Sequence, residues 1–202
     1  FRRVLFRSAS EIDKWAIQVT QKNYPDTIQL GDITKWREWD IDWASINLVY
    51  GGSPCQGFSF AGKQLAFDDP RSKLFFEFVD IVNHIKSLNP DIKFLLENVR
   101  MKKEYLDVIS EYMGVQPVMI NSALVSAQNR VRFYWANWEI TQPEDRGILL
   151  KDILEDGFTE RDKSFVVTTR AARATPELYT QKSQHNMIMS HPLPEHTISM
   201  KN

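Results

Sequence analysis

The chain of 202 residues contains one cysteine, Cys55. A single cysteine excludes an internal disulfide framework and a zinc site built from cysteines, and it suits a reducing compartment. The formal net charge is -1, so any nucleic-acid binding must come from local patches. No apolar run approaches the roughly 20 residues that span a bilayer, and the first residues lack the apolar core and cleavage site of a signal peptide. We therefore expect a cytoplasmic protein without a membrane segment.

The four histidines show no paired spacing of the kind that metal sites use, so no metal is predicted. What is present is an ordinary globular composition, 43% hydrophobic and 25% charged. A chain of this length can bury a substantial core in one domain.

Both ends of the chain are unusual. The run from Arg2 to Ser8 resembles the translation of a sequencing adapter, so residues 1–8 are interpreted as a non-native leader, with a genuine N-terminal strand as the alternative. The chain starts without methionine, and Ser199-Met200-Lys201-Asn202 closes no element. We interpret it as an internal piece of a longer protein.

Hydrophobic periodicity predicts strands that alternate with helices, which is typical of an α/β fold with a mostly parallel sheet and helices on both faces. The predicted helices are Ser10–Tyr24 with Ser10 as N-cap, Lys73–Leu88 and Lys102–Met113. The predicted strands are Thr27–Leu30, Ile46–Tyr50, Ile92–Leu96, Val115–Ile120 and Val131–Ala136. From Glu139 the chain becomes more polar, so we expect a core domain over residues 9–138 and a different region over 139–202.

Cys55 follows a predicted strand, in the run Gly51-Gly52-Ser53-Pro54-Cys55-Gln56. The carboxyl ends of strands are where open α/β sheets place their chemistry. A glycine- and proline-rich turn exposes backbone N–H groups that favour a thiolate, which is a nucleophile for covalent catalysis. The alternative is a small buried hydrophobic side chain.

Three charged residues stand at the edges of other predicted strands. Glu97 follows an apolar run and is a candidate proton donor, or else a salt-bridging carboxylate. Arg130 and Arg132 have the spacing of one face of a strand, which suits a clamp on an anion, or else they are surface cations.

Glu11 and Asp32 individually indicate no function, but together they match a pattern that binds nucleosides. Open α/β folds hold a nucleoside with a carboxylate after a strand that takes a ribose hydroxyl, and a second acid can take an adenine amino group. The tryptophans Trp36, Trp39 and Trp43 are interpreted as packing rather than as a stacking platform.

Three linked blocks of sequence resemble the signature motifs of the cytosine-C5 DNA methyltransferases, in the right order. They are Pro54-Cys55-Gln56, Glu97-Asn98-Val99 and Gln128-Asn129-Arg130-Val131-Arg132, and Ser10-Glu11-Ile12-Asp13 and Gly31-Asp32-Ile33 are similar as well. The resemblance covers residues 9–138. It implies a Rossmann-like, S-adenosylmethionine-dependent methyltransferase fold, followed from residue 139 by the start of a smaller target-recognition region.

The resemblance also implies roles. The Cys55 thiolate would attack C6 of a cytosine flipped out of double-stranded DNA, Glu97 would hydrogen-bond or protonate N3, and S-adenosylmethionine would supply the methyl group for C5. Arg132 and Arg130 would fix Glu97 and the nucleotide. The resemblance assigns DNA contacts to Gln56, Ser59, Lys63 and Gln128. It assigns cofactor contacts to Glu11, Ile12, Asp32, Ile33, Pro54 and Leu74.

Some features depart from the family. Its glycine-rich cofactor loop should precede Ser10, and its closing motifs are absent before Asn202, so this fragment is expected to bind the cofactor poorly and to show no turnover by itself. We expect a monomer of bacterial or phage type, with a cognate restriction endonuclease as a possible partner. Methylation of tRNA and a catalytically silent DNA-binding relative are the alternatives.

Overall fold

The computed structural model describes residues 7–53, 73–159 and 161–165, and within them the chain is a mixed α/β structure. The helices there are α1 Lys14–Asn23, α2 Leu74–Leu88 and α3 Lys103–Met113. The strands there are β1 Ser8–Ala9, β2 Ile28–Gln29, β3 Leu48–Gly51, β4 Lys93–Val99, β5 Val118–Asn121 and β6 Val131–Ala136. Short 3-10 helices cover Ile33–Glu38, Trp43–Ser45, Ser122–Leu124 and Leu150–Ile153.

The bounds predicted for α2, α3 and β6 are confirmed to within one residue. The helix α3 ends where expected because Gly114 adopts a left-handed conformation with φ of 69°, which glycine reaches without steric cost. The strand β4 continues past its predicted end to Val99, since Glu97 and Asn98 maintain the alternation of half-buried and buried positions. Glu97 therefore lies inside the strand.

The predicted start of α1 is wrong. The helix begins at Lys14, and Asp13 rather than Ser10 is its N-cap, with the Asp13 carboxylate accepting the N–H groups of Trp15 and Ala16 at 2.8 and 3.0 Å. Aspartate and serine both favour this position, so the sequence offered two competing caps. The exposed fractions of Trp15 and Val19 are each 62%, so their shared face is not buried in the structure.

The residues that the structure describes form two sheets. In the first, β1 and β2 pair in parallel, with Ser8 opposite Ile28. The second has the strand order β3-β4-β6-β5, and β3 and β4 pair in parallel with Gly51 opposite Leu96. The carboxyl ends of paired parallel strands lie at the same edge, so Gly52 and Ser53, which follow β3, lie beside the end of β4.

The main core lies between α2, α3 and the second sheet. Its buried members include Phe75, Phe94, Leu96 and Trp135, each at most 1% exposed. The indole N–H of Trp135 donates to Ser110 Oγ at 3.0 Å, so this buried polar group is satisfied. The core therefore fixes β4 through the buried side chains of Phe94 and Leu96.

A second cluster covers the other side of α2. Trp36 is 6% exposed and makes an edge contact with Trp43, with ring centroids 5.6 Å apart, while Trp39 stacks on Trp43 at 6.0 Å. The packing role predicted for these tryptophans is confirmed. A cavity of 270 Å³ is lined by Trp36, Arg37, Trp43 and His84, none of which is a predicted site residue.

The chain divides into two compact units. The first unit comprises Phe1–Val118 and Phe133–Glu139, and the second comprises Met119–Arg132 and Ile140–Asn202. Within the described residues, no helix has the length and apolarity needed to cross a membrane.

Candidate active site

The end of β3 lies against Glu97. Gly51 is in register with Leu96, so Gly52 comes beside Glu97. A Cβ added at Gly52 would lie 3.2 Å from both the main-chain oxygen and the carboxylate Oε2 of Glu97. This distance is shorter than an ordinary Cβ contact, so the lack of a side chain at Gly52 favours the close approach. The chain that leads to Cys55 thus passes directly beside the predicted acid.

Asn98 ties the same two segments together from the buried face of β4. Its side chain is 1% exposed. Its Nδ2 donates to Ser53 Oγ at 3.0 Å, and its Oδ1 accepts the N–H of Val99 at 2.8 Å. Because a buried polar group without a partner is costly, this amide fixes the position of Ser53 relative to β4.

Five predicted site residues fall between the described ranges: Pro54, Cys55, Gln56, Ser59 and Lys63. The structure describes the chain up to Ser53, so the roles of these five residues stay predictions.

The loops that follow β1 and β2 are also joined. Ser10, which does not cap α1, donates from Oγ to the carbonyl oxygen of Gly31 at 2.7 Å. Leu30 donates its N–H to the carbonyl of Ala9 at 2.8 Å, which extends the parallel pairing. Gly31 has φ of 75°, a turn conformation that suits glycine. Glu11 and Asp32, one residue beyond this link on each side, are brought into one region.

The carboxylates of this region are fixed by local hydrogen bonds. Glu11 Oε1 accepts the N–H groups of Ile12 and Asp13 at 2.8 and 2.9 Å. Asp32 Oδ1 accepts both the N–H and the Oγ1 hydroxyl of Thr34 at 2.9 Å. The bonds from the Thr34 backbone and then from its hydroxyl hold the pKa of Asp32 below its usual value, because they stabilise the charged form. Asp32 is an ionised acceptor at neutral pH.

These residues fit a nucleoside. Two carboxylates supply acceptors for hydroxyl and amino groups, and Ile12, with 77% of its surface exposed, offers an apolar face for a base. Ile33 instead packs against the Trp36 cluster. Leu74, the first residue of α2, is half-buried.

In the second unit, the main chain of Arg130 is held on both sides. Its N–H donates to Asn121 Oδ1 at 3.0 Å, and its carbonyl accepts the N–H of Ser122 at 3.1 Å. Asn121 Nδ2 also donates to Asn129 Oδ1 at 2.8 Å. Arg130 lies just before β6, whereas Arg132 is inside it.

Gln128 is fixed in the same way. Its carbonyl accepts the hydroxyl of Ser122 at 3.0 Å, and its N–H donates to Ser126 Oγ at 3.2 Å. The half-buried Arg132 donates from Nη1 to the carbonyl of Val131 at 2.7 Å. The segment that carries Gln128, Arg130 and Arg132 therefore has an ordered main chain.

Metal ligands are not grouped in the part of the chain that the structure describes: no three His, Cys, Asp or Glu side chains there could hold an ion.

Comparison with known proteins places the chain in a family. The family described as C-5 cytosine-specific DNA methylase matches residues 4–186. The chain belongs to the C-5 cytosine-specific DNA methylases. The match includes every residue predicted for the site, in both units.

Several bacterial relatives carry the name Type II methyltransferase. M.NgoBV of Neisseria gonorrhoeae is 32% identical over 84% of this chain and 44% of its own length. M1.ScrFI of Lactococcus lactis is 35% identical over 77% of this chain and 45% of its own length. M.NlaIV of Neisseria lactamica is 35% identical over 69% of this chain and 30% of its own length. The chain spans less than half the length of these relatives.

Sequence reasoning about this DNA methylase chain missed the residues that hold the site together. Asn98 is visible in the sequence only as part of a motif, and no sequence pattern indicates Asn121. The available signal was an amide inside or at the end of an apolar strand, where a polar group needs a specific partner. Gly52 was assigned to a turn, but its close contact with Glu97 requires knowledge of the β3–β4 register.

Gly52→Ala is expected to lower the rate of methyl transfer by about tenfold, because the added Cβ displaces the Glu97 carboxylate by a few tenths of an ångström. Single-turnover transfer from labelled S-adenosylmethionine to duplex DNA measures the rate. Gly51→Ala is the matched control, since its Cβ would meet the Phe78 ring at 3.2 Å instead. We expect both variants to lose some stability and only Gly52→Ala to transfer the methyl group more slowly. An unchanged rate for Gly52→Ala would show that Glu97 tolerates displacement.

Proposed function

We propose that this protein transfers a methyl group from S-adenosylmethionine to C5 of cytosine in double-stranded DNA, through a covalent bond between Cys55 and C6 of the base. The observation that carries the proposal is the contact of Gly52 and Ser53 with Glu97 and Asn98 at the ends of two parallel strands. In this contact, the residues that lead to Cys55, the one cysteine of the sequence, lie beside the half-buried carboxyl group of Glu97.

The chemistry follows from the cytosine ring. C5 is a poor nucleophile until a thiolate adds to C6, which moves electron density to C5 as an enamine. Glu97 stabilises this step by protonating or hydrogen-bonding N3. After C5 is methylated, a base removes the C5 proton, and the electron pair of that bond expels the Cys55 thiolate. Where N3 was protonated, it returns its proton to Glu97, so the ring regains its original bonding and both Cys55 and Glu97 return to their starting states.

The target base must leave the duplex, because C6 cannot be reached inside the stack. Arg130 and Arg132 are suited to hold the flipped nucleotide and its phosphate, since guanidinium groups recognise anions in a fixed geometry. Gln56, Ser59, Lys63 and Gln128 are proposed to contact DNA. The bonded main chain of Gln128 and Arg130 supports this role, because a fixed backbone lowers the cost of ordering their side chains on binding.

S-adenosylmethionine supplies an electrophilic methyl group when bound. Glu11 would take the ribose hydroxyls and Asp32 the adenine amino group, with Ile12 and Ile33 beside the base. Pro54 and Leu74 are proposed to contact the cofactor as well. The joined loops after β1 and β2 support a nucleoside site, because the Ser10–Gly31 hydrogen bond joins the two segments that carry the carboxylates.

The proposal also covers the fold, the domain organisation, the oligomeric state, the location and a partner of the protein. We assign the chain a Rossmann-like fold with a mostly parallel sheet over residues 9–138, after a leader over 1–8, and the start of a target-recognition region over 139–202. We propose that the protein acts as a monomer in a bacterial or phage-infected cytoplasm. A cognate restriction endonuclease is proposed from the Type II names of the relatives.

Trapping with 5-fluorocytosine tests the mechanism. The protein encoded by the complete reading frame around this chain is incubated with S-adenosylmethionine and duplexes of varied sequence that contain 5-fluorocytosine. Because fluorine cannot leave as a proton does, the covalent complex should accumulate. We expect a protein–DNA adduct whose digestion maps the DNA to the peptide that contains Cys55.

Unsubstituted duplexes serve as the control and should give turnover without a stable adduct. Failure to form an adduct on any duplex, with cofactor binding demonstrated, contradicts the proposal. Adducts on tRNA alone would then indicate an RNA methyltransferase, and adducts on neither would indicate a silent DNA-binding relative.

A further inference from the structure

One lysine in the second unit has an unusual environment. The ammonium group of Lys163 donates to three backbone carbonyls, those of Ile148, Ala123 and Ser126, at 2.5, 2.7 and 3.2 Å. The side chain is half-buried. An ammonium has three donors, so these three acceptors use all of them.

The three carbonyls come from separated parts of the chain. Ala123 and Ser126 lie in the turn that follows β5, and Ile148 lies in the segment before the 3-10 helix at Leu150–Ile153. Lys163 therefore joins this turn to two stretches beyond residue 139. Charge-assisted bonds of this kind are stronger than neutral ones, which makes the link a strong local constraint.

The residue after Lys163 continues the link through its backbone. Ser164 forms a parallel β-bridge with Gln128. Its N–H donates to the carbonyl of Ala127 at 2.7 Å, and its carbonyl accepts the N–H of Asn129 at 2.8 Å. The bridge lies directly before Arg130.

Together these contacts form a clamp, which we define as Lys163, Ser164 and their partners. The clamp binds the segment 123–129 at several points along its length. The side chains of Asn121 and Ser122 bind the backbone of Arg130 and Gln128, respectively, as further contacts. A side chain that fixes this segment controls where Gln128 and Arg130 project.

We propose that Lys163 is a positioning residue, which sets the backbone of Gln128–Arg130 and so the reach of Arg130 toward the flipped nucleotide. The inference rests on the proposed function, because it assigns Arg130 to the reaction. It also implies that the region beyond residue 139 influences the arginine segment through the clamp.

Lys163→Met keeps the length of the side chain and removes its charge and donors. In the protein from the complete reading frame, we expect kcat to fall about 10- to 100-fold, because small misplacements of a positioned group have effects of this size. KM for S-adenosylmethionine should not change, since the residues proposed for the cofactor lie in the first unit. Lys103→Met, which removes a lysine whose side chain is 84% exposed, is the control and should leave kcat and KM unchanged.

Lys163→Arg provides a second variant that keeps the charge and so protects folding. A planar guanidinium cannot direct its donors at three carbonyls that surround one nitrogen, so a smaller fall in kcat is expected. Amide hydrogen exchange of Asn129 and Ser164 should become faster in both variants, while amides of β4 stay protected.

A double-mutant cycle separates positioning from general stability. If Lys163 acts through Arg130, the single-turnover rate of Arg130→Ala should fall less than about twofold when Lys163→Met is added. The same 10- to 100-fold fall in both backgrounds would overturn the proposal, as would an unchanged kcat in Lys163→Met. If wild-type protein forms no adduct and transfers no methyl group, the proposed function fails, and hydrogen exchange still reports whether the clamp exists.

Discussion

Replacing Cys55 with alanine is expected to abolish methyl transfer, with a fall in single-turnover rate of at least roughly 10⁴-fold, the scale seen when a covalent nucleophile is removed. No other residue of the chain carries a thiol, so none can form the same adduct. Without the bond to C6, C5 remains a poor nucleophile, and neither Glu97 nor the arginines can compensate. The fold should persist, because alanine demands no new space.

Three measurements distinguish loss of the nucleophile from loss of structure. Affinity for unmodified duplex DNA should be retained in Cys55→Ala, and its thermal unfolding should match that of the wild type. The 5-fluorocytosine adduct should disappear completely. Methyl transfer that persists at a rate near that of the wild type would disprove the assignment of Cys55.

Local patterns predicted the elements that carry the site. The apolar face of α2 repeats with the period of a helix, and Asn89 and Pro90 end it, so its bounds followed from sequence. The left-handed Gly114 likewise ended α3. These signals lie within one element and need no knowledge of its neighbours.

Contacts between distant segments could not be predicted in this way. The Asn98–Ser53 bond depends on the register of β3 and β4, and the Lys163 clamp joins segments 15 to 40 residues apart. Ser10 illustrates the same limit, because its hydroxyl bonds to Gly31 rather than to the start of α1.

The family was predictable from sequence further than the contacts within the fold were, for a chemical reason. Cys55, Glu97 and the two arginines are residue types that the proposed reaction requires, so their motifs remain visible whatever supports them. The supporting residues Asn98 and Asn121 only need to form hydrogen bonds, and many residues can do this in many places. Their roles became visible only with the geometry.

Glu97→Gln is expected to lower the rate of methyl transfer about 10²- to 10³-fold, within the range of general acid catalysis. Glutamine has nearly the same shape, so it fits beside Gly52 and β4 keeps its position. Its amide can still accept a hydrogen bond from the exocyclic amine, but it has no carboxyl proton to give to N3. DNA affinity should therefore be almost unchanged while the chemical step is slow.

The matched control is Glu104→Gln on α3, which makes the same chemical change at a carboxylate whose side chain is 63% exposed. Its rate should equal that of the wild type. Single-turnover kinetics with saturating duplex isolate the chemical step, and a separate binding titration reports affinity. If Glu97→Gln reacted at the normal rate, the contact between Gly52 and Glu97 would serve packing alone, and another group would have to supply the proton at N3.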